Sequence, residues 1–273
     1  GEIGWDRSFV EEHFNPDIAN RLQFAMKSQW RAINPPLEYE RPPDDRGRIL
    51  PCWLFALAGV YADAEDLGWA RSLSADEAAR AARIASFKIS GLPNWLADLA
   101  AAHPEAVEQT LGPELTFELE QEISSSSFLQ GLRDAHPDLR KLFIPRIAGW
   151  VTGLSQRQPD IGDGLALAIL LRQALNVLLA HQDGEIDILL EDIAGKALAG
   201  PMDDPSAITW AQVLLRLNPE RGVAEIERIL RSTPAPTSAV REKWIANLFG
   251  DSYRFAVPVD LGVAEFTPEL LLR

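Results

Sequence analysis

The residues that could do chemistry in this chain are few and scattered. There are four histidines, His13, His103, His136 and His181, and one cysteine, Cys52. Neighbouring carboxylates occur at Asp44/Asp45, Asp63/Glu65/Asp66, Asp160/Asp163 and Asp203/Asp204. A metal site built on helices needs ligands three or four residues apart on one face, and no His-x-x-x-His or Glu-x-x-His pair is present. The acids do not form the Asp-Asp-x-x-Asp spacing that would hold magnesium, and Asp160-Ile-Gly-Asp-Gly164 lacks the later ligands of a calcium loop. Turns and helix caps account for them. Cys52 has no histidine near it in sequence to act as an activating base, so it reads as a small buried hydrophobe. Neither a Gly-x-x-x-x-Gly-Lys or Gly-x-Gly-x-x-Gly phosphate cradle nor a Gly-x-Ser-x-Gly elbow occurs. No catalytic residue, metal or cofactor is therefore expected.

Recognition is a better use for what the chain does carry. Residues 34–48 hold four prolines and a glycine among charges and cannot be helical. A loop of this length either carries binding or is merely disordered. Its tyrosine and charges, Tyr39, Arg41, Asp44 and Arg46, are the candidate partner contacts.

Composition bounds the class of function. A chain of 273 residues with 47% hydrophobic content and eight tryptophans can bury a continuous core. One cysteine excludes an internal disulfide and every multi-cysteine zinc pattern, so a reducing cytoplasm is the simplest home. The start Gly1-Glu-Ile-Gly-Trp5, without Met, reads as a boundary inside a longer protein. A net charge of −14 argues against nucleic acid and anionic membrane surfaces, because both are bound largely through Lys and Arg. The most apolar run, in 165–180, is interrupted by Arg172-Gln173 and is too short to cross a bilayer.

The elements that must position these residues read as helices joined at proline corners. Leu99-Ala-Ala-Ala-His103-Pro104 and Leu132-Arg-Asp-Ala-His136-Pro137 repeat 33 positions apart, and Leu214-Leu-Arg-Leu-Asn218-Pro219 is a looser third copy. Proline pushes the preceding residue out of the α region and suits the first position of the next helix, so each copy predicts a corner between two helices. Asn15-Pro16-Asp17 predicts a helix start, with Ile18, Leu22, Ala25, Met26, Gln29, Trp30 and Ile33 as its apolar stripe. The apolar run Leu50–Ala62 predicts a central buried helix, and Ser74-Ala-Asp-Glu77 a capping box. A break is expected at Gly112-Pro113 and a kink at Pro145. Residues 183–204 are acid-rich and predict a negative surface. A last helix is expected over Ser238–Phe249, and an irregular tail over 251–273. The tryptophans fall mostly on apolar stripes and read as core, with one or two left for a partner groove.

Three segments follow: a cap helix and Pro-rich loop over 1–49, a helical subarray over 50–155, and a second over 156–273 with an irregular tail. Pairs of this kind resemble an α-solenoid of the HEAT or armadillo type, with antiparallel helix pairs stacked into a superhelix. The alanine-rich helix followed by Gly91-Leu92-Pro93-Asn94-Trp95-Leu96 is similar to helical-repeat regions of large bacterial multidomain NTPases of the NACHT/STAND type. That resemblance implies an ATPase elsewhere in a parent protein. The function these readings favour is a non-catalytic interaction or scaffold module gripping a protein or peptide. The alternative is an all-helical enzyme using carboxylates in a central cavity, and where the acids point distinguishes the two.

Overall fold

Among the described residues the protein is all-α: a computed structural model describes residues 4–87, 91–121, 126–154, 164–200 and 206–231, together with Trp244 and Leu248. Helices α1 (Arg7–His13), α2 (Pro16–Ala32), α3 (Pro51–Ala64), α4 (Trp69–Ser72), α5 (Ala75–Ala85), α6 (Trp95–Ala102) and α7 (Pro104–Glu120) come first. They are followed by α8 (Ser127–Asp134), α9 (Pro137–Leu154), α10 (Gly164–His181), α11 (Gly184–Ala197), α12 (Ala207–Leu217) and α13 (Pro219–Leu230). The chain divides into two compact units. One comprises Gly1–Glu120 and Gln130–Phe143, the other Gln121–Leu129 and Ile144–Arg273. No helix among the described residues is long and apolar enough to cross a membrane.

The proline corners at His103 and Asn218 share one mechanism. His103 and Asn218 leave the α region at nearly the same dihedrals (φ −135°, ψ 59° and φ −146°, ψ 83°), as a following proline requires. Each closes one helix with its N–H, His103 to Leu99 O and Asn218 to Leu214 O, both at 2.8 Å. Each opens the next with its carbonyl, which accepts from Val107 N–H at 3.1 Å and from Gly222 N–H at 2.8 Å. The His136 carbonyl likewise accepts from Arg140 N–H at 3.1 Å. At His103 and Asn218 one residue thus ends one helix and begins another. Ser74 and Glu77 form the expected capping box.

In the first unit α2 and α3 form the most intimate pair. Gly59 makes this approach feasible, because a Cβ there would lie 2.7 Å from the Met26 carbonyl carbon. Trp30 donates its indole N–H to Asp63 Oδ2 at 2.7 Å across the same interface. The α5 face Ala78, Ala81, Ala82 and Ala85 is wholly buried, and Trp69, Trp95 and Tyr61 pack edge to face behind it with centroids 5.9 and 6.1 Å apart. In the second unit α12 is enclosed nearly all round: Trp210, Ala211, Val213, Leu214 and Leu215 are buried, and Gln212 donates to Leu248 O at 2.9 Å. Trp30, Trp69, Trp95, Trp210 and Trp244 all lie in core.

Several expectations are corrected. Cys52 is exposed, since it sits in the first turn of α3, where Leu50 and Cys52 face outward and burial begins only at Ala56. The α2 stripe is rotated: Ala19, Met26 and Trp30 face the core, whereas Ile18 and Ala25 are exposed. α7 runs unbroken through Gly112-Pro113. A proline costs an interior helix one hydrogen bond, and flanking turns can carry that loss when the helix is packed. The boundary expected at 156–164, but for Gly164 at the start of α10, most of the helix at 238–249 and the tail 251–273 lie outside the described residues.

Candidate functional site

The loop between α2 and α3 is held as a shaped strap by contacts made within it and beneath it. Two 3-10 turns, Glu38–Glu40 and Pro43–Asp45, give it local form, and Leu37 is buried as its apolar anchor. Arg41 is 7% exposed and turned inward. Its guanidinium donates to Pro36 O from Nε (3.0 Å) and Nη2 (2.7 Å) and to Arg48 O from Nη1 (2.8 Å), and lies 4.5 Å from the Trp53 ring centroid. One cation therefore ties both ends of the loop to the start of α3. Gly47, at φ +74°, lets its N–H turn back to Glu38 Oε1 at 2.9 Å.

Helices beneath the strap supply the remaining anchors. Arg83 of α5 grips the Glu40 carboxylate with two donors, Nη1 at 2.6 Å and Nη2 at 2.9 Å. That guanidinium holds the Glu40 carboxyl below the usual carboxylate range, against burial, and Glu40 in turn raises Arg83. Leu37 N–H adds a bond to Glu40 Oε2 at 2.9 Å, and Tyr39 N–H donates to the buried Glu114 of α7 at 3.3 Å. Burial pushes the Tyr39 phenol up, and the Glu40 charge and hydrogen bond add to it. Arg46 donates to Arg41 O at 3.3 Å and lies 4.6 Å from the Phe117 ring centroid.

The four residues singled out from sequence share this strap but not one outward face. Tyr39 is at its edge, 36% exposed, and Asp44 is fully presented. Arg41 is committed to the loop's own carbonyls, and Arg46 is half-buried over Phe117. The outward side carries Tyr39, Asp44, the Arg48–Asp45 pair at 2.8 Å, and Ile49 and Leu50. Sequence reasoning did not find the anchors Arg83, Glu114, Trp53 and Phe117. No local pattern marks them: Arg83, Glu114 and Phe117 meet the strap through the packing of α5 and α7, and Trp53 through the fold of the loop back onto the start of α3.

A second feature of the same unit is a shallow cleft of about 210 Å³ lined by Arg31, Asp63, Asp66, Leu67, Trp69 and Leu73. Its inner carboxylate, Asp63, accepts from Trp30 Nε1, from Arg31 and from Lys27 at 3.2 Å. Burial works against the Lys27 charge, yet its bonds to Asp63 and Asp66 leave it raised. Arg31 also reaches Glu77 at 3.2 Å. Among the described residues no three His, Cys, Asp or Glu side chains gather where they could hold a metal. His103 spends its ring on Ala70 O at 2.8 Å, and His136 sits beside Asp138 at 3.4 Å. Comparison with family models, with curated proteins and with solved structures finds no match for this chain.

Proposed function

We propose that this chain is a non-catalytic helical interaction module that presents the strap over α3, α5 and α7 to a protein or peptide partner. The observation that carries the reading is the internal anchoring of the strap by Arg41 and by the Arg83–Glu40 pair. A Pro-rich segment of this length ordered in advance loses little conformational entropy when a partner docks, which is what a recognition surface needs. Its outward side mixes an aromatic edge, Tyr39, with aliphatic Ile49 and Leu50 and with charges of both signs. A surface of that composition suits a protein partner better than a polyanion. Arrangement of the helix pairs as a HEAT- or armadillo-like solenoid belongs to the same proposal, supported by the recurrent proline corners.

Affinity capture from a native lysate tests it, with the wild-type chain compared against Tyr39→Ala/Asp44→Ala. Asp44 is exposed and Tyr39 lies at the strap's edge, so circular dichroism and a thermal melt are run on the variant to show that the helices beneath are kept. A protein recovered by wild type and depleted at least tenfold by the variant, then shown to bind the purified chain, supports the proposal. Identical recovery by both would refute it.

A further inference from the structure

The outward side of α2 carries a row of residues spaced three and four apart: Phe14 just before the helix, then Asp17, Arg21, Phe24 and Ser28. This spacing puts Asp17, Arg21, Phe24 and Ser28 on one straight seam of α2, with Phe14 in the turn that leads into it. The seam lies opposite the Ala19–Met26–Trp30 face that α2 buries. Phe14 is 64% and Phe24 75% exposed, and Asp17, Arg21 and Ser28 are exposed beside them. Among the described residues neither Asp17 nor Arg21 has an ion-pair partner.

The first four members of the row, Phe14 to Phe24, are symmetric about Ala19. Read forward they run phenylalanine, acid, base, phenylalanine, and the separations of three, four and three are the same in reverse. We infer that α2 pairs antiparallel with α2 of a second copy of this chain, about a two-fold axis level with Ala19. That operation sets Phe14 against the partner's Phe24 and Asp17 against the partner's Arg21, each contact occurring twice, as an isologous interface requires. A partner of one charge sign would leave either Asp17 or Arg21 opposed by a like charge; a second copy satisfies both.

The area sets the strength. With about 200 Å² per phenylalanine, the exposed parts of Phe14 and Phe24 offer roughly 280 Å² per copy. That is well under the ~800 Å² per partner of a stable interface, so the dimer is weak and concentration-dependent. The strap is not part of this surface, and the inference stands independently of the partner proposed above.

Sedimentation equilibrium of the full chain from about 1 μM to about 1 mM tests it, a range that spans weak association. A mass rising toward twice that of the monomer is expected. Phe24→Ala should weaken the dimer at least tenfold, and its exposed position leaves the fold intact by circular dichroism. Asp17→Arg and Arg21→Asp should each weaken association by setting like charges opposite one another, and the double exchange Asp17→Arg/Arg21→Asp should restore it. A monomer throughout the range overturns the inference. So does a dimer that Phe24→Ala shifts less than threefold, or one that the double exchange leaves no tighter than the single changes.

Discussion

Replacing Arg41 should open the strap without unfolding the helices beneath it. Three hydrogen bonds from its guanidinium reach two carbonyls, Pro36 O and Arg48 O, and the cation stacks on Trp53. Both carbonyls belong to exposed residues, and the bonds to them are counted at the ordinary net value of a hydrogen bond. Counting about 1 kcal/mol for each carbonyl anchored and about 1 kcal/mol for the cation–π contact, Arg41→Ala costs roughly 3 kcal/mol of strap closure. Arg41→Lys keeps the charge but loses the fork and the stack, and costs roughly 2 kcal/mol. Since each 1.4 kcal/mol is tenfold, opening of the strap should rise about a hundredfold in the alanine variant. Hydrogen exchange reads this directly at amides the strap protects, those of Glu40 and Arg41, which donate to Leu37 O and Glu38 O at 3.1 Å. Their protection should fall by that factor, whereas amides inside α2 and α5 change little. A loss of less than threefold at Glu40 and Arg41 would refute the assignment of Arg41 as the closure of the loop.

Glu40→Gln removes the carboxylate that Arg83 grips and should cost about 1 kcal/mol at neutral pH. Because Arg83 depresses the folded pKa of Glu40, the stabilisation is fully present above the unfolded value of about 4.3 and is lost as pH falls through the lower folded value. The gap between wild type and variant in urea melts should therefore be constant near pH 7 and close in acid; a gap that persists below that window contradicts the ion pair. Gly59→Ala forces a methyl onto the Met26 carbonyl, and a net loss of about 2 kcal/mol is expected despite the roughly 1 kcal/mol gain in helix propensity. A stabilised variant in thermal melts would show that α2 and α3 can part at no cost. Asp63→Ala leaves the buried Trp30 N–H without an acceptor and takes one carboxylate from Lys27 and from Arg31, which keep Asp66 and Glu77, and should destabilise by about 3 kcal/mol. Trp30→Phe removes one of those donors and should cost less than half of that in the same denaturation assay.

Features set by local chemistry are legible from the residues alone. The proline corners at His103, His136 and Asn218 follow from a clash between adjacent residues, and the Ser74–Glu77 box from side chains three apart, so no distant contact can overrule them. The same holds for the helical class, which the spacing of apolar residues sets along most of the described chain. Tertiary structure decided everything that depends on which neighbour arrives. Residues 34–48 could be read only as non-helical, because what orders them is Arg83, Glu114, Trp53 and Phe117. Cys52 looked buried because its run is apolar, yet a helix end is covered only where another element reaches it. The apolar stripe of α2 is broad, and periodicity places Met26 and Trp30 in it but cannot decide whether Ala19 or Ile18 and Ala25 flank them in the core. The choice fell to the face that fits α3, because Gly59 admits the backbone and Asp63 accepts the Trp30 indole, leaving Ile18 and Ala25 to solvent.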